Sequence, residues 1–170
     1  MQSKRFEAEF NPVYKKNYPH IYRHIFRIVG NQEEANQITQ QTFMNYYRYI
    51  CAHPTINNSR ALVFKIANNI CCDYLRKKQR FKNVSKADFV SMNTAEPPED
   101  TLLTDEINEM FLNTLKKLSQ KDQQCLLLYH EGFSYAEISA CLGIKKSSVG
   151  KVLSRAIEKL ARLIKNGEKQ

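Results

Sequence analysis

Glycine and proline are scarce in this sequence, with five of each among 170 residues. Outside a few polar stretches, apolar residues recur at three- and four-residue spacing. No window sustains the alternation of apolar and polar residues that is typical of a strand. The chain is therefore expected to be all-α.

The sequence also lacks a long apolar run. No stretch approaches the roughly 20 apolar residues that cross a bilayer. Met1 leads into a charged segment instead of the apolar centre of a signal peptide. No direct membrane insertion and a cytoplasmic location are therefore expected.

Patterns for metal binding, cofactor binding and catalysis are missing too. The five cysteines form no CxxC pair and are expected to be reduced, mostly buried thiols. His20 and His24 have the spacing of two ligands on one helical face, but no third ligand follows in the usual pattern. There are no paired carboxylates beside a base and no glycine loop for phosphate. The sequence thus predicts no metal site, no cofactor and no enzyme.

Positive charge is in excess, and it is unevenly placed. The net charge is +9; residues 1–82 hold 14 Lys and Arg against 5 Asp and Glu, residues 83–113 hold 1 against 7, and residues 114–170 hold 11 against 5. Lysines and arginines that neutralise phosphates release counterions. Two basic blocks around an acidic one indicate binding to a polyanion at two places, with ordinary solvated basic surfaces as the alternative.

The helical pattern breaks down in the acidic segment, which contains AEPPED from Ala95 to Asp100. This predicts two small helical domains, 1–82 and 106–170, joined by an acidic flexible linker over 83–105. The elements predicted in the first domain are one or two helices over 4–29 around Pro19, a helix from the Asn31 cap through Ile50, a loop from Cys51 to Arg60, and a helix from Ser59 to about Phe81. In the second domain, the first predicted elements are a helix over 105–118 and a helix from Ser119 to Gly132.

The segment FSYAEISACLGIKKSSVGKVLSR, Phe133 to Arg155, carries two helix starts separated by a glycine turn. Ser134 and Glu137 have the spacing of a capping box, Gly143 is placed to end that helix, and Ser147 or Ser148 is expected to cap the next one. An apolar stripe on the second helix leaves four residues facing outward: Ser148, Lys151, Ser154 and Arg155. This pattern fits a helix-turn-helix, whose second helix enters the major groove, or an ordinary pair of packed helices.

The first domain offers another polar surface. The helix from Ser59 has one apolar face and one polar face, and the polar face holds Lys65, Asn69, either Cys72 or Asp73, and Arg76. The preceding loop holds Asn57 and Asn58, and amide side chains of this kind can bond the edges of an extruded base. Most nearby aromatic residues are expected in the core, with one or two left to stack on unpaired bases: Phe43, Tyr46, Tyr47, Tyr49, Phe64 and Tyr74.

Three segments, in order, resemble the extracytoplasmic-function (ECF) group of bacterial sigma factors. They are EEANQITQQTF from Glu33, LVFKIANNICCDYLRKK from Leu62, and LSQKDQQCLLLYHEGFSYAEISACLGIKKSSVGKVLSRAIEKL from Leu118. The resemblance covers nearly the whole chain. It implies that the first domain binds core RNA polymerase and opens the minus-ten element of promoter DNA, and that the second reads the minus-thirty-five element as a duplex.

Carried over by position, the resemblance implies three groups of residues. They are a polymerase-facing group of Gln37, Gln40, Gln41, Met44 and Arg48, a minus-ten group of Asn57, Asn58, Arg60, Lys65, Asn69, Asp73 and Arg76, and a minus-thirty-five group of Ser147, Ser148, Lys151, Ser154 and Arg155. It also implies an anti-sigma partner that covers the polymerase-binding surfaces. The linker is implied to lie in the RNA path of the polymerase, with a solvated tether as the alternative.

The sequence departs from the family pattern at several positions. The family usually has an acidic residue at Gln37, a tryptophan near Leu62, and a basic residue at both Gly150 and Val152. The missing charge at Gln37 implies a changed polymerase contact. Gly150 and Val152 imply fewer phosphate contacts or a closer backbone approach, and hence an unusual promoter preference.

Two other interpretations stay open at this point. The first is a helix-turn-helix regulator that binds duplex DNA by itself, with the first domain for oligomerisation or sensing. The second is an all-helical adaptor. The basic face and amide-rich loop of the first domain favour the sigma factor, because a dimerisation module does not require them.

Overall fold

The computed structural model describes residues 2–53, 55–84 and 105–167. Over these residues it contains seven α-helices and no strand: α1 (Gln2–Val29), α2 (Gln32–Ala52), α3 (Ser59–Val84), α4 (Asp105–Lys116), α5 (Gln120–His130), α6 (Tyr135–Leu142) and α7 (Lys146–Gly167). The chain divides into two compact units, Met1–Glu96 and Pro97–Gln170. The prediction of two helical domains is confirmed. The linker predicted over 83–105 lies almost wholly outside the described residues, so its bounds stay a prediction.

The first unit is a bundle in which α1, α2 and α3 each pack against the other two. α1 is a single helix that continues through Pro12 and Pro19. A proline inside a helix removes one backbone hydrogen bond, and burial of the apolar residues that follow offsets this loss. All three helices contribute to the core, which includes Ile21, Ile25, Phe43, Tyr46, Ile50, Val63, Phe64 and Ala67.

Local polar contacts set the helix starts of this unit. Gly30 has a positive φ of 71°, which lets the chain turn out of α1. Asn31 then accepts from the Glu34 N–H at 2.9 Å, as predicted. Asn58 does the same for α3 by accepting from the Ala61 N–H at 2.9 Å. α2 continues to Ala52, slightly beyond its predicted end.

The second unit packs α4, α5 and α6 against α7. Ser134 and Glu137 form both bonds of the predicted capping box: the Ser134 N–H donates to Glu137 Oε2 at 2.8 Å, and the Glu137 N–H donates to Ser134 Oγ at 3.3 Å. Gly143 ends α6 in the left-handed region, with φ 63° and ψ 34°, as predicted. The core includes Leu115, Leu128, Phe133, Ile138, Val149, Leu153 and Ala156.

The prediction that Ser147 or Ser148 caps α7 is wrong. The helix begins earlier, at Lys146, so both serines lie inside its first turn. That turn is closed by the backbone, because the Ser148 N–H donates to the carbonyl of Lys145 at 2.9 Å.

The cysteines are free thiols, and Cys71, Cys125 and Cys141 are buried, as predicted for most of them. Burial raises the pKa of Cys71 to about 12 and that of Cys125 to about 11. Both stay protonated near neutral pH, which makes them poor nucleophiles and metal ligands. Among the described helices, none combines the length and the apolar character that a bilayer crossing needs.

Candidate nucleic-acid and polymerase interfaces

The outer face of α2 carries the predicted polymerase-facing group. All five side chains, Gln37, Gln40, Gln41, Met44 and Arg48, are exposed. Thr39 and Thr42 lie on the buried face, where their hydroxyls donate to backbone carbonyls one turn earlier at 2.7 Å. Met44 is 52% exposed. A methionine among amides offers an adaptable apolar contact to another protein.

Gln37 stands where the resemblance implies an acidic residue. Its amide lies 3.5 Å from a carboxylate oxygen of Glu33, one turn earlier on the same exposed face. The α2 surface therefore keeps a negative charge, displaced by one helical turn. Glu33 is not one of the residues that the resemblance implied for this face.

The polar face of α3 brings together four of the predicted minus-ten residues. Lys65, Asn69, Asp73 and Arg76 are all exposed and follow one another at three- and four-residue steps. Arg76 Nη1 lies 3.2 Å from Asp73 Oδ1, with the two side chains 65% and 67% exposed. An ion pair this open contributes little to stability. The arginine is thus available to a phosphate.

Part of the loop before α3 also has a structural role. Asn57 and Asn58 are both exposed, and the side chain of Asn58 caps α3. Arg60 is half-buried, with its guanidinium carbon 5.5 Å from the centroid of the Phe64 ring. Asn57 is therefore the loop amide that is best placed to meet a base, whereas Asn58 and Arg60 also hold the start of α3 in place.

A stacked pair that the sequence analysis did not single out lies at the end of α2, beside this loop. The rings of Tyr49 and His53 are 4.0 Å apart and inclined by 12°. His53 Nδ1 lies 3.0 Å from the Tyr49 carbonyl oxygen, which can only accept, so Nδ1 carries the hydrogen. Both side chains are exposed. The i, i+4 spacing of a tyrosine and a histidine could have indicated the pair.

One residue of the basic run RKKQR, Arg76 to Arg80, is engaged within the first unit. Lys78 Nζ lies 2.8 and 3.1 Å from the two carboxylate oxygens of Glu34, and 5.4 Å from the centroid of the Tyr74 ring. Burial alone would lower the pKa of Lys78, but bonding to Glu34 and Tyr74 raises it overall. Lys78 thus ties the end of α3 to the start of α2.

The outer face of α7 carries the predicted minus-thirty-five group. Ser147, Lys151, Ser154 and Arg155 are exposed, and Ser148 is half-buried. Val152 is 5% exposed and belongs to the core. A side chain added at Gly150 would place its Cβ 3.6 Å from the Tyr135 ring. Both departures from the family pattern therefore face the protein itself, since a side chain at Gly150 would meet α6 and Val152 is buried.

Arg155 has a partner within the second unit. Its Nε donates to Oδ1 of Asp122 at 3.2 Å, and Nη2 donates to the same oxygen. The Asp122 side chain is 6% exposed, whereas that of Arg155 is 59% exposed. Burial alone would raise the pKa of the Asp122 carboxyl, but hydrogen bonds from Arg155 and Ser119 and the charge of Lys159 hold it below its usual value. The carboxylate is therefore ionised at neutral pH.

The two histidines with ligand-like spacing do not form a site. His24 is 1% exposed and bonds to Asn68, whereas His20 is exposed. Within the described ranges, no three His, Cys, Asp or Glu side chains are grouped in a way that could hold a metal ion.

Comparison with known proteins gives each unit a counterpart. Residues 13–81 match the family described as Sigma-70 region 2, and residues 108–160 match Sigma-70, region 4. The chain is 27% identical to the ECF RNA polymerase sigma factor BldN of Streptomyces coelicolor, over 91% of this chain and 60% of that protein. It is 27% identical to the RNA polymerase sigma factor YlaC of Bacillus subtilis, over 85% of each chain.

A similar fold occurs in a solved structure. The sigma factor RpoE of Bartonella quintana, crystallised with the anti-sigma factor NepR, matches with a TM-score of 0.79 over 92% of this chain and 97% of that one, at 22% identity. The two family matches cover most of both helical units in the order that the three sequence segments predicted. The chain therefore belongs to the sigma-70 family, in the ECF group of RNA polymerase sigma factors.

Proposed function

We propose that this chain binds core RNA polymerase and directs promoter-specific transcription initiation as an ECF sigma factor. The observation that carries the proposal is the presence of two separate polar surfaces suited to nucleic acid, one on α3 with its loop and one on α7. A regulator that binds duplex DNA by itself needs only the second. The matches to Sigma-70 region 2 and region 4 support a separate promoter element for each surface.

In the first unit, α3 and the preceding loop act on unpaired bases. Lys65 and Arg76 attract the phosphates, and the amides of Asn57 and Asn69 bond base edges. The stacked rings of Tyr49 and His53 offer an aromatic face next to the loop. Bases held in this way cannot return to the duplex, so trapping them shifts the promoter toward its open state.

In the second unit, the exposed face of α7 enters the major groove. Lys151 neutralises a phosphate, while the hydroxyls of Ser147 and Ser154 bond either phosphates or base edges. Arg155 supplies the donors suited to guanine. Each step consists of binding and positioning, with no covalent change in this chain. We place the protein in the cytoplasm because its target, the polymerase, works there.

The exposed face of α2 binds the polymerase and is the surface that an anti-sigma protein would cover. The support is the combination of Met44 with polar neighbours on an otherwise unpacked helix face. The sigma factor RpoE, which has a similar fold, was solved in complex with the anti-sigma factor NepR, and CnrH, also of similar fold, was solved with the cytosolic domain of CnrY. One partner therefore excludes the other.

The test is transcription in vitro. The purified chain is added to sigma-free core polymerase on fragmented genomic DNA, and start sites are mapped, with core polymerase alone as the control. Discrete starts that share a two-part upstream motif are expected. If no starts appear while the chain alone still shifts duplex DNA, the stand-alone regulator becomes the better account.

A further inference from the structure

A buried carboxylate on α5 holds the most versatile donor on the outer face of α7. We propose that Asp122 is a positioning residue that orients Arg155 to read a guanine in the upstream duplex element of the promoter. This inference rests on the proposed function. It concerns a residue on α5, outside the helix-turn-helix, that the sequence analysis did not assign to a DNA contact.

The geometry is that of a fixed anion and a partly free cation. Asp122 is almost fully buried, and its backbone N–H donates to the Ser119 Oγ at 3.2 Å in the first turn of α5. The carboxylate therefore cannot follow the arginine. Arg155 projects beyond it and is more than half exposed. The fixed partner thus determines where the guanidinium points.

The donor count leaves one edge of the guanidinium for DNA. A guanidinium has five N–H donors in a planar fork, and Asp122 Oδ1 takes one from Nε and one from Nη2. The end formed by Nη1 and the second hydrogen of Nη2 carries two parallel donors. This end matches the N7 and O6 acceptors that guanine presents in the major groove.

Fixing the arginine in advance has a predictable effect on recognition. A free arginine side chain loses rotamer freedom when it binds, and a carboxylate that holds its plane removes part of that loss beforehand. This saving in entropy applies only to a pair of acceptors that lies where the held guanidinium points. It therefore raises discrimination at one base more than it raises affinity for DNA in general.

The experiment measures binding of the holoenzyme, the chain with core polymerase, to duplexes that carry the upstream element found by start-site mapping. Each guanine is replaced in turn by 7-deazaguanine, which lacks the N7 acceptor. The variants are Asp122→Ala, Asp122→Asn and Arg155→Ala. Glu109→Ala is the matched control, because it removes the same charge from an exposed position on α4 of the same unit.

We expect the unsubstituted chain to lose about tenfold in affinity at one guanine, the range expected for a good bidentate contact. That loss should vanish in Arg155→Ala and fall below about threefold in Asp122→Ala. Asp122→Asn keeps an oxygen acceptor, so its affinity loss at this guanine should lie between that of the unsubstituted chain and that of Asp122→Ala. Binding to an unrelated duplex should change no more in Asp122→Ala than in Glu109→Ala.

Three results would overturn the inference. In the first, 7-deazaguanine lowers the affinity of Asp122→Ala as much as that of the unsubstituted chain. In the second, Asp122→Ala binds the duplex more tightly and keeps the same dependence on each guanine. In the third, the effect of 7-deazaguanine is the same with and without Arg155 at every guanine. A merely structural role would weaken binding evenly and leave the guanine pattern unchanged. If Asp122→Ala does not fold, Asp122→Asn decides, because it keeps the side-chain shape: a loss at that guanine as large as in the unsubstituted chain overturns the inference. Failure of the proposed function is a different outcome, in which the unsubstituted chain supports no initiation at all.

Discussion

His24 on α1 bonds to Asn68 on α3 inside the first unit, with 3.1 Å between Nε2 and Oδ1. Both side chains are 1% exposed. The Asn68 amide nitrogen donates to the Phe64 carbonyl at 3.0 Å, so its oxygen faces the ring and accepts. His24 therefore carries its hydrogen on Nε2. The bond joins two helices directly beneath the exposed face that holds Asn69.

Substitutions at the neighbouring residues Asn68 and Asn69 should affect different properties, the first stability and the second promoter opening. Asn68→Leu removes the buried oxygen that accepts from His24, which should destabilise the first unit by about 1–3 kcal/mol. Asn69→Leu changes an exposed side chain and should alter stability by less than about 0.5 kcal/mol. Native-state hydrogen exchange of core amides in α3 measures the first effect. Promoter opening should instead fail mainly in Asn69→Leu, and equal exchange in the two variants would contradict the prediction.

Two glycines of the second unit should respond in opposite ways to alanine. Gly143 has a φ of +63° with nothing within 4 Å of an added Cβ, so the change costs about 1–2 kcal/mol through the backbone alone. Gly150 lies inside α7, and its added Cβ would make an ordinary contact at 3.6 Å with the Tyr135 ring. Gly150→Ala should therefore stabilise by up to about 1 kcal/mol. Thermal unfolding of both variants checks the signs.

The stability of the second unit should fall in acid, partly through Asp122. Against the effect of burial, hydrogen bonds from Arg155 and Ser119 hold the folded-state pKa of this carboxyl below its ordinary value. Its contribution is therefore complete above the unfolded pKa and is lost as pH falls through the folded one. Asp122→Asn should be less stable near pH 6, and the difference should shrink below about pH 4. Hydrogen exchange of α5 and α7 across this range measures it, and a constant difference would refute the assignment.

The Tyr49 ring should matter for binding of single-stranded DNA. Base stacking on an aromatic side chain is worth about 1–3 kcal/mol, so Tyr49→Ala should weaken holoenzyme binding to a non-template minus-ten oligonucleotide by about 5- to 150-fold. Tyr49→Phe should retain most of the affinity. Tyr47→Ala is the matched control: it has a similar exposure, 38% against 39%, but its ring packs edge-on to Phe10. Equal losses at both tyrosines would argue against the stacking role.

Helix starts could be predicted from the sequence wherever a side chain within three residues closes the first turn. Asn31, Ser119 and Ser134 all do so in the structure. The start of α7 was missed because a backbone carbonyl does this work, and a carbonyl leaves no signature in the sequence. The exposed faces of α3 and α7 followed from the period of the apolar residues, whereas the exposed group on α2 followed from the family resemblance.

The contacts that refine the candidate sites were not predictable in the same way. Arg155 with Asp122, and Lys78 with Glu34, join residues that are 33 and 44 positions apart. Such pairs depend on how the helices pack, which the spacing of apolar residues does not specify. Asn58 and Arg60 show the same limit, because the amide and guanidinium expected to face DNA also hold the start of α3.

The helix α6 has only eight residues, and both of its ends are fixed by particular side-chain or backbone conformations. Each residue of an α-helix turns the chain by about 100°. A single insertion or deletion between Ser134 and Gly143 would rotate one end against the other and carry Ile138 or Cys141 out of the core. Homologous segments can therefore vary in composition, but their length cannot change without losing the turn that leads into α7.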